Sequence, residues 1–113
     1  MTKKAKFSVV VAVYNRPEEM SELLESIFSQ EYRDFEIIIV DDGSQRSSRE
    51  IFQEYRDKLN ISYFFTENQG PALARNFGVS KSEGEWVVFF DSDCTIPQNY
   101  FFEVEKYLNK NKI

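Results

Sequence analysis

Four short runs of apolar, β-branched and aromatic residues, at 7–13, 35–40, 61–65 and 86–90, set the main limit on what this chain can fold into. None alternates cleanly between apolar and polar side chains. A strand that is apolar on both faces is usually covered on both faces, as in a parallel sheet. Parallel neighbours need crossovers of about a dozen residues or more, and the segments between the runs are long enough to supply them as helices. The first predicted helix follows Pro17 and puts Met20, Leu23, Leu24, Ile27 and Phe28 on one face. In the second, Ser47 stands three residues ahead of Glu50 as a capping box requires, followed by Ile51, Tyr55 and Leu59 at helical spacing. Gly70-Pro71 opens a third with Leu73, Ala74 and Phe77 as its apolar face, and a last helix after Pro97 would bury Phe101, Val104 and Leu108. The order β-α-β-α-β-α-β-α implies an α/β fold: a doubly wound, mainly parallel, Rossmann-like sheet with flanking helices.

With 113 residues, 42% hydrophobic and 16% aromatic, the chain can enclose one core, so residues 1–113 are read as a single domain. Neither the N-terminus, with Lys3, Lys4 and Lys6, nor any later stretch has the apolar length of a signal peptide or a membrane span. A soluble, cytoplasmic protein is expected. A formal charge of -5 offers phosphate backbones no broad basic face, which argues against a nucleic-acid partner. The lone Cys94 cannot form an internal disulfide and is read as a small buried residue. An acidic chain that binds an anionic ligand needs a metal ion or a well-placed cation to offset the repulsion.

In an open α/β sheet, ligands sit outside the carboxyl ends of the strands. Tyr14-Asn15 follow the first run, Asp41-Asp42-Gly43-Ser44 the second, Thr66-Glu67-Asn68-Gln69-Gly70 the third and Asp91-Ser92-Asp93 the fourth. Each could be an ordinary turn or N-cap. Two pairs of carboxylates on one edge are harder to explain that way, because clustered like charges destabilise a fold unless they hold a cation. Asp91 and Asp93 are hard oxygen ligands suited to Mg²⁺ or Mn²⁺, which would keep several waters and take further ligands from a diphosphate. Arg75, about one helical turn into the third helix, could meet phosphate or base oxygens or simply face solvent. Tyr14 could stack on a nucleobase or pack at the rim.

The segments Val11-Ala12-Val13-Tyr14-Asn15, Val40-Asp41-Asp42-Gly43-Ser44, Asn68-Gln69-Gly70-Pro71-Ala72-Leu73-Ala74-Arg75-Asn76 and Phe90-Asp91-Ser92-Asp93 resemble, in order and spacing, the N-terminal half of glycosyltransferase family 2. No one motif is decisive, but four in register are specific. The resemblance implies a GT-A fold, a nucleotide-diphosphate sugar donor, most often UDP-linked, and inverting transfer with Mn²⁺ or Mg²⁺. The acceptor would be a carbohydrate or lipid-linked molecule, in the synthesis of cell-surface polysaccharide. It makes Val13, Tyr14, Asn15, Asp41, Asp42, Arg75 and Asp91 the nucleotide-binding set. Asp42 would bond the base, with Tyr14 flanking and Asp41 beside the nucleoside. Arg75 would lie near base or phosphate, Asp91 would face the ribose or a metal-bound water, and Asp93 would ligate the metal. The inner face of the membrane is a peripheral alternative to a free cytoplasmic location.

Two departures stand out. Many members carry an acid where this chain has Cys94. The family's acceptor pocket and general base lie further along, and the 20 residues after Asp93 offer only Glu103 and Glu105, both read as surface acids. The general base is therefore expected from outside this chain, which would bind donor without transferring sugar. The apolar edge at 86–90 would stay uncovered, inviting self-association. Rival readings are a haloacid dehalogenase-like phosphatase using Asp91 and Asp93, and a non-catalytic nucleotide-binding module. The phosphatase motif normally ends a first strand; here it follows the fourth.

Overall fold

The computed structural model describes residues 5–110; Lys3 and Lys4 lie outside them. The elements run β1 (Phe7–Val13), α1 (Pro17–Phe28), β2 (Phe35–Asp42), α2 (Arg49–Tyr55), β3 (Ile61–Thr66), α3 (Pro71–Lys81), β4 (Trp86–Phe89) and α4 (Tyr100–Lys110). The four strands form one sheet in the order β3-β2-β1-β4, and every pairing is parallel. All carboxyl ends therefore lie on one edge. Asp41 and Asp42 are the last two residues of β2 and not loop residues: Asp41 pairs with Val13 and Phe65, and Asp42 with Thr66.

The two faces are covered unequally. Alternate residues of β1 and β2, among them Phe7, Val9, Val11, Ile37 and Ile39, join Met20, Leu23, Leu24 and Ile27 of α1, Tyr55 of α2 and Phe101 of α4 in the larger core. The other set, Val10, Ile38 and Val40, meets Ala74 of α3, with Phe64, Phe77 and Val87 around it. Burial on both faces is why β1 and β2 show no alternation. Each fully buried Leu, Ile or Met of α1 contributes roughly 1.5–3 kcal/mol. Phe101 packs α4 in place, with its ring 5.6 Å from Phe7, 4.8 Å from Phe35 and 5.6 Å from Tyr32, centroid to centroid.

Several expectations are corrected. The Ser47–Glu50 capping box does not form: α2 starts at Arg49, its N-cap is Ser48, and no side chain caps it. The Ser48 N–H goes instead to Asp41, at 2.9 Å from Oδ2. Leu73 is 53% exposed. The small residues Ala74 and Gly78 are the ones that bring α3 against the sheet, so the contact line leaves Leu73 to one side. Glu105 accepts a hydrogen bond from the Tyr32 hydroxyl at 2.8 Å, so it serves α4 docking and is not a free surface acid. The expected uncovered edge at 86–90 is met at Trp86 and Phe89, 48% and 49% exposed, whereas Phe90 is buried in the larger core.

Candidate functional site

Asp41 closes the end of β2 from within. It is fully buried, and its carboxylate accepts from the Ser44 N–H (3.3 Å), the Ser48 N–H (2.9 Å) and the Tyr63 hydroxyl (2.5 Å). Burial, reinforced by that carboxylate, pushes the Tyr63 phenol well above its ordinary pKa. Its acceptors are thus spent on shaping the β2–α2 loop. Asp41 forms the floor under that loop.

Asp42, 4% exposed, reaches the other way. Its Oδ1 accepts from the Gln69 N–H at 2.8 Å and its Oδ2 from the Gly70 N–H at 3.0 Å, while its backbone carbonyl accepts from Asn68 Nδ2 at 3.0 Å. The loop ahead of α3 is thereby tied to β2. The two loops touch so closely that a Cβ on Gly43, whose φ is +72°, would stand 2.6 Å from the Asn68 nitrogen. A carboxylate has about four lone-pair sites, so Asp42 keeps acceptor capacity toward the small hollow of about 150 Å³ that it lines with Ala12, Val13, Tyr14 and Pro71.

The β1–α1 turn is built around Asn15 in the left-handed region, φ +55°. Its Oδ1 accepts from the Gln45 and Arg46 N–H groups at 2.8 and 3.0 Å, and its own N–H donates to Ser44 Oγ at 2.8 Å. Asn15 therefore braces two loops, while Tyr14 beside it stays 49% exposed. Tyr14 and Ala12 also line a wider cleft of about 810 Å³ with Asn15, Arg16, Arg46 and Ser92, so the small hollow and the acidic loop border one depression.

On either side of Ser92, which lines that depression, Asp91 and Asp93 present ligand atoms that lie within 4.8 Å of one another and of the Cys94 thiol. Cys94 is exposed, contrary to the buried role expected of it, because a turn in which its N–H donates to the Asp91 carbonyl at 3.1 Å carries it outward. Arg75 Nη2 lies 3.6 Å from Asp91 Oδ1, which joins α3 to the acidic loop. Both partners are largely exposed, so the pair is weak and available to a ligand. Two water-facing carboxylates with open space beside them fit a divalent ion that keeps waters and takes phosphate oxygens. A thiolate at the third position suits softer metals. Tyr63, which bonds Asp41 through its hydroxyl, escaped sequence reading, and the Gln69 and Gly70 N–H groups that hold Asp42 lie within a quoted motif but act through backbone atoms that residue type does not reveal.

The sequence model of "Glycosyl transferase family 2" matches residues 8–113. An uncharacterized glycosyltransferase of Rickettsia bellii is 36% identical over 107 residues, covering 95% of this chain and 16% of the relative. The crystal structure of Staphylococcus aureus TarS 1-349 in complex with UDP-GlcNAc superposes with a TM-score of 0.87 at 35% identity, over 93% of this chain and 31% of that one. A mannosyltransferase from Pyrobaculum calidifontis in complex with GDP-Man and Mn²⁺ gives a TM-score of 0.86 at 25% identity, over 99% of this chain and 34% of that one. This chain thus spans about a third of the length of these solved neighbours, and less of the Rickettsia relative.

Proposed function

The chain belongs to glycosyltransferase family 2, with the GT-A fold, and on that premise we propose that it is the donor-binding part of an inverting, metal-dependent glycosyltransferase. The donor is a nucleotide-diphosphate sugar, UDP-linked by preference, since the neighbour bound to UDP-GlcNAc is the nearer in sequence of the two compared. The acceptor is a carbohydrate or lipid-linked molecule of cell-surface polysaccharide synthesis, reached from the cytoplasm or the inner face of the membrane. Among the described residues, no helix is long and apolar enough to cross a membrane.

One observation carries the reading: a base-sized hollow floored by Asp42 and flanked by Tyr14 shares its rim with the cleft that runs to Ser92, between Asp91 and Asp93. Asp42 accepts a hydrogen bond from the base, and Tyr14 covers the base's face. Asp93 and Asp91 would hold a Mn²⁺ or Mg²⁺, Asp93 as the ligand and Asp91 beside the ribose or a metal-bound water. Once bound, that ion supplies the positive charge that neutralises the leaving diphosphate. Arg75 exchanges Asp91 for a phosphate oxygen, a better-matched partner for its planar fork. A general base must act within about 2.6–3.2 Å of the acceptor hydroxyl, on the face opposite the leaving group. Of the described acids after Asp93, Glu103 is exposed on α4 and Glu105 is engaged by Tyr32, so the base is assigned to residues outside this chain.

Calorimetric titration with UDP in Mn²⁺ and in EDTA tests the reading. Affinity should rise with Mn²⁺ in the wild type and lose that rise in Asp93→Ala. Equal affinity in the two buffers for the wild type refutes it.

A further inference from the structure

The acidic loop is anchored at both ends, and the downstream anchor comes from α1. Upstream, the Phe90 N–H donates to the Val10 carbonyl at 3.2 Å and the ring enters the larger core. Downstream, Ile96 is buried to 9% exposure and its N–H donates to Ser26 Oγ at 2.9 Å. That hydroxyl in turn donates to the Leu23 carbonyl at 2.7 Å, so Ser26 cannot swing away freely. Just past the helix, Gln30 is 2% exposed, and its Nε2 donates to the Pro97 carbonyl at 2.9 Å, with the Ile96 carbonyl at 3.5 Å.

Burying a primary amide is costly unless its hydrogen bonds are made. Here the Nε2 hydrogens go to the Ile96 and Pro97 carbonyls, 66 and 67 residues away and immediately beyond the loop that carries Asp91 and Asp93, with the Ser26 carbonyl at 3.3 Å, while Oε1 is buried without a partner among the described residues. Only residues 91–95 lie between the two anchors, with one internal turn bond from the Cys94 N–H to the Asp91 carbonyl. A free loop of that length would lose conformational entropy at every residue when a ligand ordered it. A loop already fixed at both ends does not.

We propose that Gln30 and Ser26 are positioning residues for the acidic loop, clipping Ile96 and Pro97 to α1 so that Asp91 and Asp93 stand ready for one divalent ion. The inference rests on the metal-dependent reading above. Gln30→Met keeps the length and apolar bulk and removes the donors; Ser26→Ala removes the acceptor for the Ile96 N–H.

Two measurements on the 113-residue chain test it. In EDTA, amide exchange at Cys94 and Ile96 should speed up by about tenfold or more in either variant, while Val9 and Ile38 in the sheet centre keep wild-type rates. In calorimetry with UDP, the gain in affinity on adding Mn²⁺ should shrink by about fivefold or more, with affinity in EDTA unchanged. Tyr32→Phe, which loosens α4 away from the loop, is the control: it should lower thermal stability and move neither readout. Should Gln30→Met fail to fold, Ser26→Ala carries both measurements. Wild-type exchange at Ile96 in the variants overturns the clip, and faster exchange with an undiminished Mn²⁺ gain overturns its link to the metal. A wild type with no Mn²⁺ gain overturns the metal reading and this inference with it, an outcome the exchange data in EDTA distinguish from loss of the clip.

Discussion

In Asp42→Ala the Gln69 and Gly70 N–H groups lose their acceptor, and the hollow of Ala12, Val13, Tyr14 and Pro71 loses its carboxylate. The two losses can be measured apart. Each deprived backbone N–H costs about 1–1.5 kcal/mol where water partly replaces the carboxylate, so stability should fall by about 2–3 kcal/mol. For a domain of this size that lowers the melting temperature by roughly 10 °C. A hydrogen bond from the base to a charged acceptor contributes about 1.5–3 kcal/mol, so UDP affinity should fall by about 10- to 150-fold. Inorganic pyrophosphate with Mn²⁺ should engage the acidic loop and Arg75 but not the base hollow, and its affinity should hold. Calorimetry well below the variant's melting temperature, with UDP and with pyrophosphate, makes the separation. Pyrophosphate affinity falling in step with UDP would show that the substitution merely disorders the site, and unchanged UDP affinity would remove Asp42 from base recognition.

Gly43→Ala places a Cβ 2.6 Å from the Asn68 nitrogen at a φ of +72°, so urea unfolding should show a loss of about 2 kcal/mol or more. Gly78→Ala would gain about 1 kcal/mol of helix propensity, but its Cβ would collide with Val10 Cγ1; the net change in a thermal melt should be destabilising by about 1–2 kcal/mol. The Tyr55 phenol, buried and donating to Glu25, is pushed up to about 12 from 10.0, first by desolvation and then by that hydrogen bond. Because its folded pKa is raised, the stability it contributes is fully present below pH 10 and is lost as pH climbs toward 12. Urea midpoints across that window should fall less steeply in Tyr55→Phe than in the wild type.

The sheet was legible because burying β1 and β2 on both faces writes itself directly into unbroken runs such as Val9-Val10-Val11 and Ile37-Ile38-Ile39. The ligand edge followed from parallel topology alone. What a carboxylate does once it reaches that edge was not legible: Asp41 and Asp42 are adjacent and chemically identical, yet opposite sides of one strand send one under the α2 loop and the other to the α3 loop. Nor did spacing distinguish Leu73 from Ala74, because close approach of α3 is set by small residues and not by the most apolar one. Gln30 gave no signal at all. A glutamine just past a helix end reads as solvent-facing, and only the fold brings the Pro97 carbonyl to it.

Trp86 is the chain's single tryptophan, and it sits on the open edge strand, about half in water. Its emission in the native protein will already lie toward the red, so unfolding will shift it little and fluorescence will under-report the transition. The ring cluster around Phe101 is the better optical witness of the fold, through near-ultraviolet dichroism. Trp86 reports a different event: whatever covers the β4 edge, whether a second copy or a longer polypeptide, will take water from the indole and move its emission to the blue.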